Sequence, residues 1–304
     1  MKAKYVNPFT DFGFKKIFGE EADKNSLIDL LNALLSGRGE GNIKDLSFKN
    51  SEQLPETADN RKAVFDIYCE NDKGEKFIVE LQKARQNFFK ERTIYYSTFP
   101  IREQVEKGNW NFELKAIYCI GILDFVFNDY DKTDPEADLI VHYVDLKNQL
   151  GRTFYNKLTY IYLEMPRFNK TIDELNTRLD QWLYFIKNLE DIQTIPQIFA
   201  KDAVFVSAFQ KAELAKMTVD EYNKYETSLK GYRDWYNIID AAKQDSENKG
   251  RLEGKLEGRM EGLKEGAQHS KIEIARRCIA RGMDIATIEE LTGLPIQIIS
   301  EMML

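Results

Sequence analysis

Histidine is almost missing from this chain: 304 residues contain only His142 and His269, far apart in sequence. Histidine-built zinc sites, His-metal nucleases and Ser-His-Asp hydrolases are therefore disfavoured, since each needs imidazoles in defined company. Cysteine is as scarce. Cys69, Cys119 and Cys278 form an odd, widely spaced set with no disulfide framework, which predicts a reduced, cytoplasmic setting. The N-terminal MKAKYVNPFTDFGFKKIFG has no apolar core after its lysines, so no signal peptide is expected. Long hydrophobic runs are lacking too. The longest, Ala116–Phe127, already contains Asp124 and falls well short of the roughly 20 residues a membrane span needs, so no membrane partner is expected. Positive charge is in deficit, with 43 Lys+Arg against 50 Asp+Glu and a net charge of −7. That balance argues against a surface coated with basic charge but says nothing of a local groove. No phosphate-binding G-x-x-x-x-G-K-[ST] loop occurs, and Gly37, Gly39 and Gly41 lack the spacing of a dinucleotide fingerprint. Carboxylates are what remain for chemistry.

What is present is ordinary globular material, 43% hydrophobic and 31% charged. Glu21–Leu35 places five leucines on one helical face. Short runs rich in β-branched and aromatic residues follow at Ile43–Phe48, Ala63–Cys69, Phe77–Gln82, Leu114–Phe125, Leu139–Leu146 and Leu158–Leu163, and read as strands. A helix over Asn87–Lys107, with a kink expected at Pro100, sits between strands and makes the class α/β. Beyond Pro166 the spacing turns helical over Asp173–Leu189, Ile198–Met217 and Thr218–Lys243. Then Gly250, Gly254, Gly258, Gly262 and Gly266 recur every four residues, each after a glutamate from Glu253 onward. Each glycine weakens an isolated helix by roughly 1 kcal/mol relative to alanine. The repeat is therefore either a charged linker or a helix closely paired with a second copy of the chain. Ile272–Leu304 reads as two short helices resembling a helix-turn-helix, but so poor in basic residues that a plain packing unit is the better reading. The expected domains are a core over 1–166, an accessory helical region over 167–245, the repeat over 246–268 and a small helical unit over 269–304.

The informative stretch is Val64–Lys83, VFDIYCENDKGEKFIVELQK. Two apolar runs flank Asp72-Lys73-Gly74, a three-residue loop with glycine last, which fits a type I turn with a bulge and so a β-hairpin. In that register facing residues have numbers summing to 146: Asp66 meets Glu80 and Val64 meets Gln82, with Glu80 and Gln82 on one face. Opposed like charges destabilise a sheet. A divalent cation removes that repulsion, because Mg²⁺ takes oxygen ligands from one or two carboxylates and keeps waters for a phosphate substrate. The alternative is a pair of solvated carboxylates with Lys73 and Lys76 as counter-charges, and a one-residue slip of register dissolves the arrangement.

Asp66, thirteen residues, then Glu80-Leu81-Gln82 within a hairpin resembles the active site of the PD-(D/E)xK nuclease superfamily. With the N-terminal Thr10-Asp11-Phe12-Gly13-Phe14-Lys15-Lys16-Ile17-Phe18-Gly19 and the late glycine-glutamate repeats, the chain is similar over nearly its whole length to the Rpn family of recombination-promoting nucleases and transposases. The resemblance implies a restriction-endonuclease-like mixed sheet flanked by helices, with an accessory helical region and a C-terminal helical tail. It implies metal-dependent DNA endonuclease activity linked to recombination, transposition or defence against foreign DNA, with Asp66, Glu80 and the Leu81 carbonyl holding Mg²⁺, or Mn²⁺ or Ca²⁺ in its place. Gln82 stands where the superfamily often has lysine. Glutamine orients water or phosphate by hydrogen bonding but carries no charge. Lys83 is directed to the other face by alternation, whereas Lys15 or Lys16 is within reach. Asp11 is either an extra acidic residue of the site or the N-cap of a helix starting at Phe12.

Directly after this strand, Lys83, Arg85, Lys90 and Arg92 outweigh Glu91 with Phe88 and Phe89 among them, a locally basic segment suited to DNA phosphates. Arg92, Tyr95 and Gln104 are weaker candidates for backbone or base contacts. A homodimer through the tail is the expected assembly. The rival expectation is a catalytically weak DNA-binding or self-assembling relative of such a nuclease.

Overall fold

The computed structural model describes residues 3–53, 63–84, 86–105, 111–127, 133 and 138–303. Two compact units emerge, Met1–Arg233 and Asp234–Leu304.

In the first unit, helices α1 (Asp11–Phe18) and α2 (Asn25–Ser36) precede the strands. These are β1 (Leu46–Phe48), β2 (Glu52–Gln53), β3 (Ala63–Val64), β4 (Ile67–Asn71), β5 (Lys76–Gln82), β6 (Ile117–Leu123), β7 (Val141–Lys147) and β8 (Thr153–Glu164), with helix α3 (Phe89–Arg102) between β5 and β6. Six of them form one mixed sheet in the order β1-β4-β5-β6-β8-β7, while β2 and β3 pair separately. The central β5–β6 and β6–β8 pairs are parallel and the outer ones antiparallel. Parallel strands need a crossover between them, and α3 provides it between β5 and β6.

Strand alternation assigns the two faces. Phe77, Val79 and Leu81 enter the larger core, together with Phe14 and Phe18 of α1, the α2 leucines, and Trp182, Phe205 and Phe209 from later helices. Ile78 faces the other way into a second core with Phe89 and Phe99 of α3. Glu80 and Gln82 share the parity of Ile78, on the α3 side. The helices that follow, α4 (Arg178–Asn188), α5 (Gln197–Ala200), α6 (Ala203–Ala212) and the start of α7 (Val219–Ala280), bury their apolar sides in the larger core with α1, α2 and one face of the sheet.

Several boundaries differ from the sequence reading, each for a local reason. The helix expected from Asp173 begins at Arg178, where Thr177 and Asp180 form a capping box. The one expected over Ile198–Met217 is cut in two, because the Asp202 carboxylate accepts the N–H groups of Val204 and Phe205 and starts a new helix. Pro100 lies in the last turn of α3, which stops two residues later.

In the second unit α7 runs unbroken through the glycine repeats, so this segment is helical. Ala275 and Cys278 of α7 pack with Ile288 of α8 (Ile285–Thr292), Leu294, and Ile299 of α9 (Ile296–Met302) in a small core. Among the described residues no helix is long and apolar enough to cross a membrane.

Candidate active site

The hairpin carries the site. Gly74 at φ +79° closes the three-residue loop, with the Gly74 N–H donating to Asn71 O and the Asn71 N–H to Glu75 O, both at 3.0 Å. Only glycine adopts that backbone at no steric cost. The loop fixes the pairing Ile67↔Val79 and Tyr68↔Ile78, the expected sum of 146, which brings Asp66 opposite Glu80. The expected facing of Val64 and Gln82 does not occur. At Asp66 the chain leaves β5, Phe65 donates its N–H to Ser51 O at 2.9 Å, and Val64 pairs with Glu52 instead.

That divergence opens a fork between β4 and β5, and two carboxylates line it. The Asp66 N–H donates to Glu80 Oε1 at 3.2 Å, and the Leu81 N–H donates to Asp66 Oδ2 at 2.7 Å. Within a strand, the N–H and C=O of one residue point to the same side, so the Leu81 carbonyl also opens toward Asp66. Burial, and next the Asp66 charge, push the Glu80 carboxyl up to about 8. Burial likewise raises Asp66, against the Leu81 amide and the Lys15 charge.

Helix α1 closes the fork from one side. Thr10, rather than Asp11, is its N-cap: Thr10 Oγ1 accepts the Gly13 N–H at 3.0 Å. Asp11 is thereby freed to lie beside Asp66, whose carboxyl its charge raises. Lys15 Nζ bonds Asp11 Oδ1 at 2.8 Å and stands 3.9 Å from Asp66 Oδ1. Burial works against the Lys15 charge, but Asp11, Asp66 and Glu80 together hold the ammonium above its usual range. Lys16 turns away to Glu20 and Glu221, at 2.7 and 2.8 Å. Gly13 is required here, since a Cβ would stand 2.2 Å from Asn7 O. The accessory helices brace this corner: Tyr225 Oη accepts the Asn7 N–H at 3.0 Å and Ser228 Oγ the Phe12 N–H at 3.2 Å.

Helix α3 closes the other side. Gln82 is buried; its Oε1 accepts from Arg92 Nη2, and its Nε2 donates to Ala84 O at 3.0 Å. The rest of the basic segment is not gathered into one row. Lys83 lies over the Tyr232 ring, its ammonium lowered by burial, and Lys90 lies over Phe127. Arg85 is outside the described residues. Tyr95 packs against Phe99, and Gln104 ties Pro100 O to the Lys115 N–H. Tyr96 was missed by the sequence reading: burial raises its hydroxyl, and the Glu80 charge raises it further. Its position four residues after Arg92, on the same helical face, was the available signal.

The donors at the fork are all oxygens, from Asp66, Glu80 and the Leu81 carbonyl, with Asp11 alongside. That chemistry fits a hard divalent cation rather than a thiolate- or imidazole-loving one. Among the described residues no three His, Cys, Asp or Glu side chains gather as a ready-made cation site.

Two half-buried carboxylates on a forked hairpin, in a mixed sheet with helices on both faces, define a restriction-endonuclease-like PD-(D/E)XK nuclease fold. The chain belongs to the PD-(D/E)XK nuclease family transposases, whose family model matches residues 8–242. A nuclease- or transposase-related function follows, within a superfamily that generally uses divalent metal ions. No curated protein matches the chain, and no solved structure does.

Proposed function

We propose that the protein is a Mg²⁺-dependent DNA endonuclease acting in recombination, transposition or defence against foreign DNA, and that it self-associates through its C-terminal tail. The observation that carries this reading is the Asp66–Glu80 pair, half-buried side by side where the strands part, with both carboxyls held above their ordinary range. Asp66, Glu80 and the Leu81 carbonyl would hold the cation. When bound, it supplies an acidified water and neutralises charge growing on the phosphate. Around it, the chain's own groups have separable tasks. Asp11 adds a carboxylate that keeps Lys15 charged and directed at Asp66. Lys83 and Lys90 hold DNA phosphates as they pass the end of β5.

Incubation of the purified protein with supercoiled plasmid and Mg²⁺ or Mn²⁺ tests the proposal. Nicking or linearisation that disappears in Asp66→Ala and Glu80→Ala supports it; cleavage that persists in both sinks the site assignment. Wild-type protein that binds DNA but never cleaves with either metal points instead to a DNA-binding or assembly protein descended from a nuclease.

A further inference from the structure

We infer that Arg92 is the group that supplies, from α3, the positive charge that a lysine at position 82 would supply from β5, with Gln82 acting as its holder. The inference rests on the endonuclease reading and specifies how that site works. Gln82 had been expected to orient water or phosphate, but its amide is engaged at both ends within the protein: its oxygen takes the Arg92 guanidinium and its nitrogen the Ala84 carbonyl at 3.0 Å. Gln82 and Glu80 are two residues apart on one face of β5, about 7 Å between Cα atoms, so the guanidinium stands beside the carboxylate pair.

Three further features mark it as held for an anion. Its Cζ lies over two rings, 5.4 Å from the Phe89 centroid and 5.6 Å from that of Tyr96, contacts that hold it without neutralising it. Its two bonded side chains, Gln82 and Gln86, are both neutral amides, and among the described residues no carboxylate pairs with it. Its Nε is buried with no hydrogen-bond partner, so the protein does not use up the guanidinium's hydrogen-bonding capacity. A guanidinium stays charged at any working pH, so it acts as neither base nor proton store. It stabilises negative charge that builds on a phosphate, which makes it a positioning and electrostatic residue.

The test uses the full chain with plasmid DNA and Mg²⁺ or Mn²⁺, comparing wild type, R92Q, R92K and Q82K/R92Q. Binding of a fluorescent duplex is measured in parallel in EDTA, and folding is checked by thermal melts. The expected result is a fall in kcat of about 10²-fold in R92Q, with metal-free DNA affinity within about two-fold of wild type. R92K should fall between, and Q82K should restore at least about ten-fold of the loss when added to R92Q. Unchanged kcat in R92Q overturns the inference, as does a loss that appears as weaker DNA binding or a folded Q82K/R92Q that recovers nothing. If R92Q does not fold, R92K against Q82K/R92K decides on the same criteria. Wild-type protein without metal-dependent cleavage would instead overturn the endonuclease reading itself.

Discussion

Asp66 and Glu80 are joined by a hydrogen bond from backbone to side chain: the Asp66 N–H donates to Glu80 Oε1 at 3.2 Å. The bond holds the two carboxylates together although their charges oppose it. An arrangement in which burial and the neighbouring carboxylate both work against ionisation is common at sites that bind an ion or react.

Stability of the metal-free protein should therefore fall as pH rises from about 4.5 to 8. The Glu80 carboxyl has an ordinary value of 4.5 and is pushed up to about 8 in the fold. The folded state then holds more protons than the unfolded one across this window, and stability declines with pH. Glu80→Gln keeps an acceptor for Asp66 and removes the charge. Its melting temperature in EDTA should equal that of the wild type near pH 4.5 and exceed it at pH 8, by a stability difference on the order of 1–3 kcal/mol. Melting curves at the two pH values decide.

Cation binding should release protons for the same reason. At pH 7 Glu80 is largely protonated, and the proton must leave before its oxygens take a cation. Calorimetric titration with Mg²⁺ in two buffers of different ionisation heat should show about one proton released per cation at pH 7 and fewer at pH 9. Glu80→Gln should abolish that buffer dependence.

Gly13→Ala should damage the site without touching a carboxylate. The added Cβ would stand 2.2 Å from Asn7 O and 2.6 Å from Thr10 Oγ1, so the first turn of α1 must shift, carrying Asp11 and Lys15 with it. A loss of about 2 kcal/mol or more in chemical denaturation is expected, together with a clear drop in cleavage. Thr10→Ala removes only the cap and should cost about 1 kcal/mol.

The glycine repeats give a test of self-association. A Cβ added at Gly250, Gly254, Gly258, Gly262 or Gly266 would meet nothing within 4 Å among the described residues, and alanine favours a helix by about 1 kcal/mol per site. Substitution of Gly254 and Gly258 by leucine should leave the folded chain intact and split the oligomer if the helices of two copies pack closely there. Light scattering that shows an unchanged mass would refute pairing through this segment.

Much of the site could be read from the sequence because it depends on short-range rules. The loop ending in Gly74 fixes the register, and the register brings Asp66 to Glu80 within a stretch of fifteen residues. The rule failed at Val64 because strand alternation assumes that pairing continues, and the turn to Ser51 ends it. Arg92 was legible as a basic residue near the site, but its bond to Gln82 joins a helix to a strand, and no local periodicity encodes such a contact. The two readings of Asp11, site acid or N-cap, stayed open because Thr10 and Asp11 are both good caps and only the bond to Gly13 distinguishes them. Packing of the accessory helices against α1 was likewise out of reach, because Tyr225 and Ser228 meet Asn7 and Phe12 across more than 200 positions.

The three cysteines are all buried, two in the sheet and one in the small C-terminal core. Burial pushes the Cys69 thiol up to about 12 and raises that of Cys119 as well. A thiol so held reacts only after its surroundings open. Each unit thus carries its own latch for alkylating reagents: labelling of Cys278 times the opening of the tail, and labelling of Cys69 and Cys119 times the parting of the strands that bear the carboxylates.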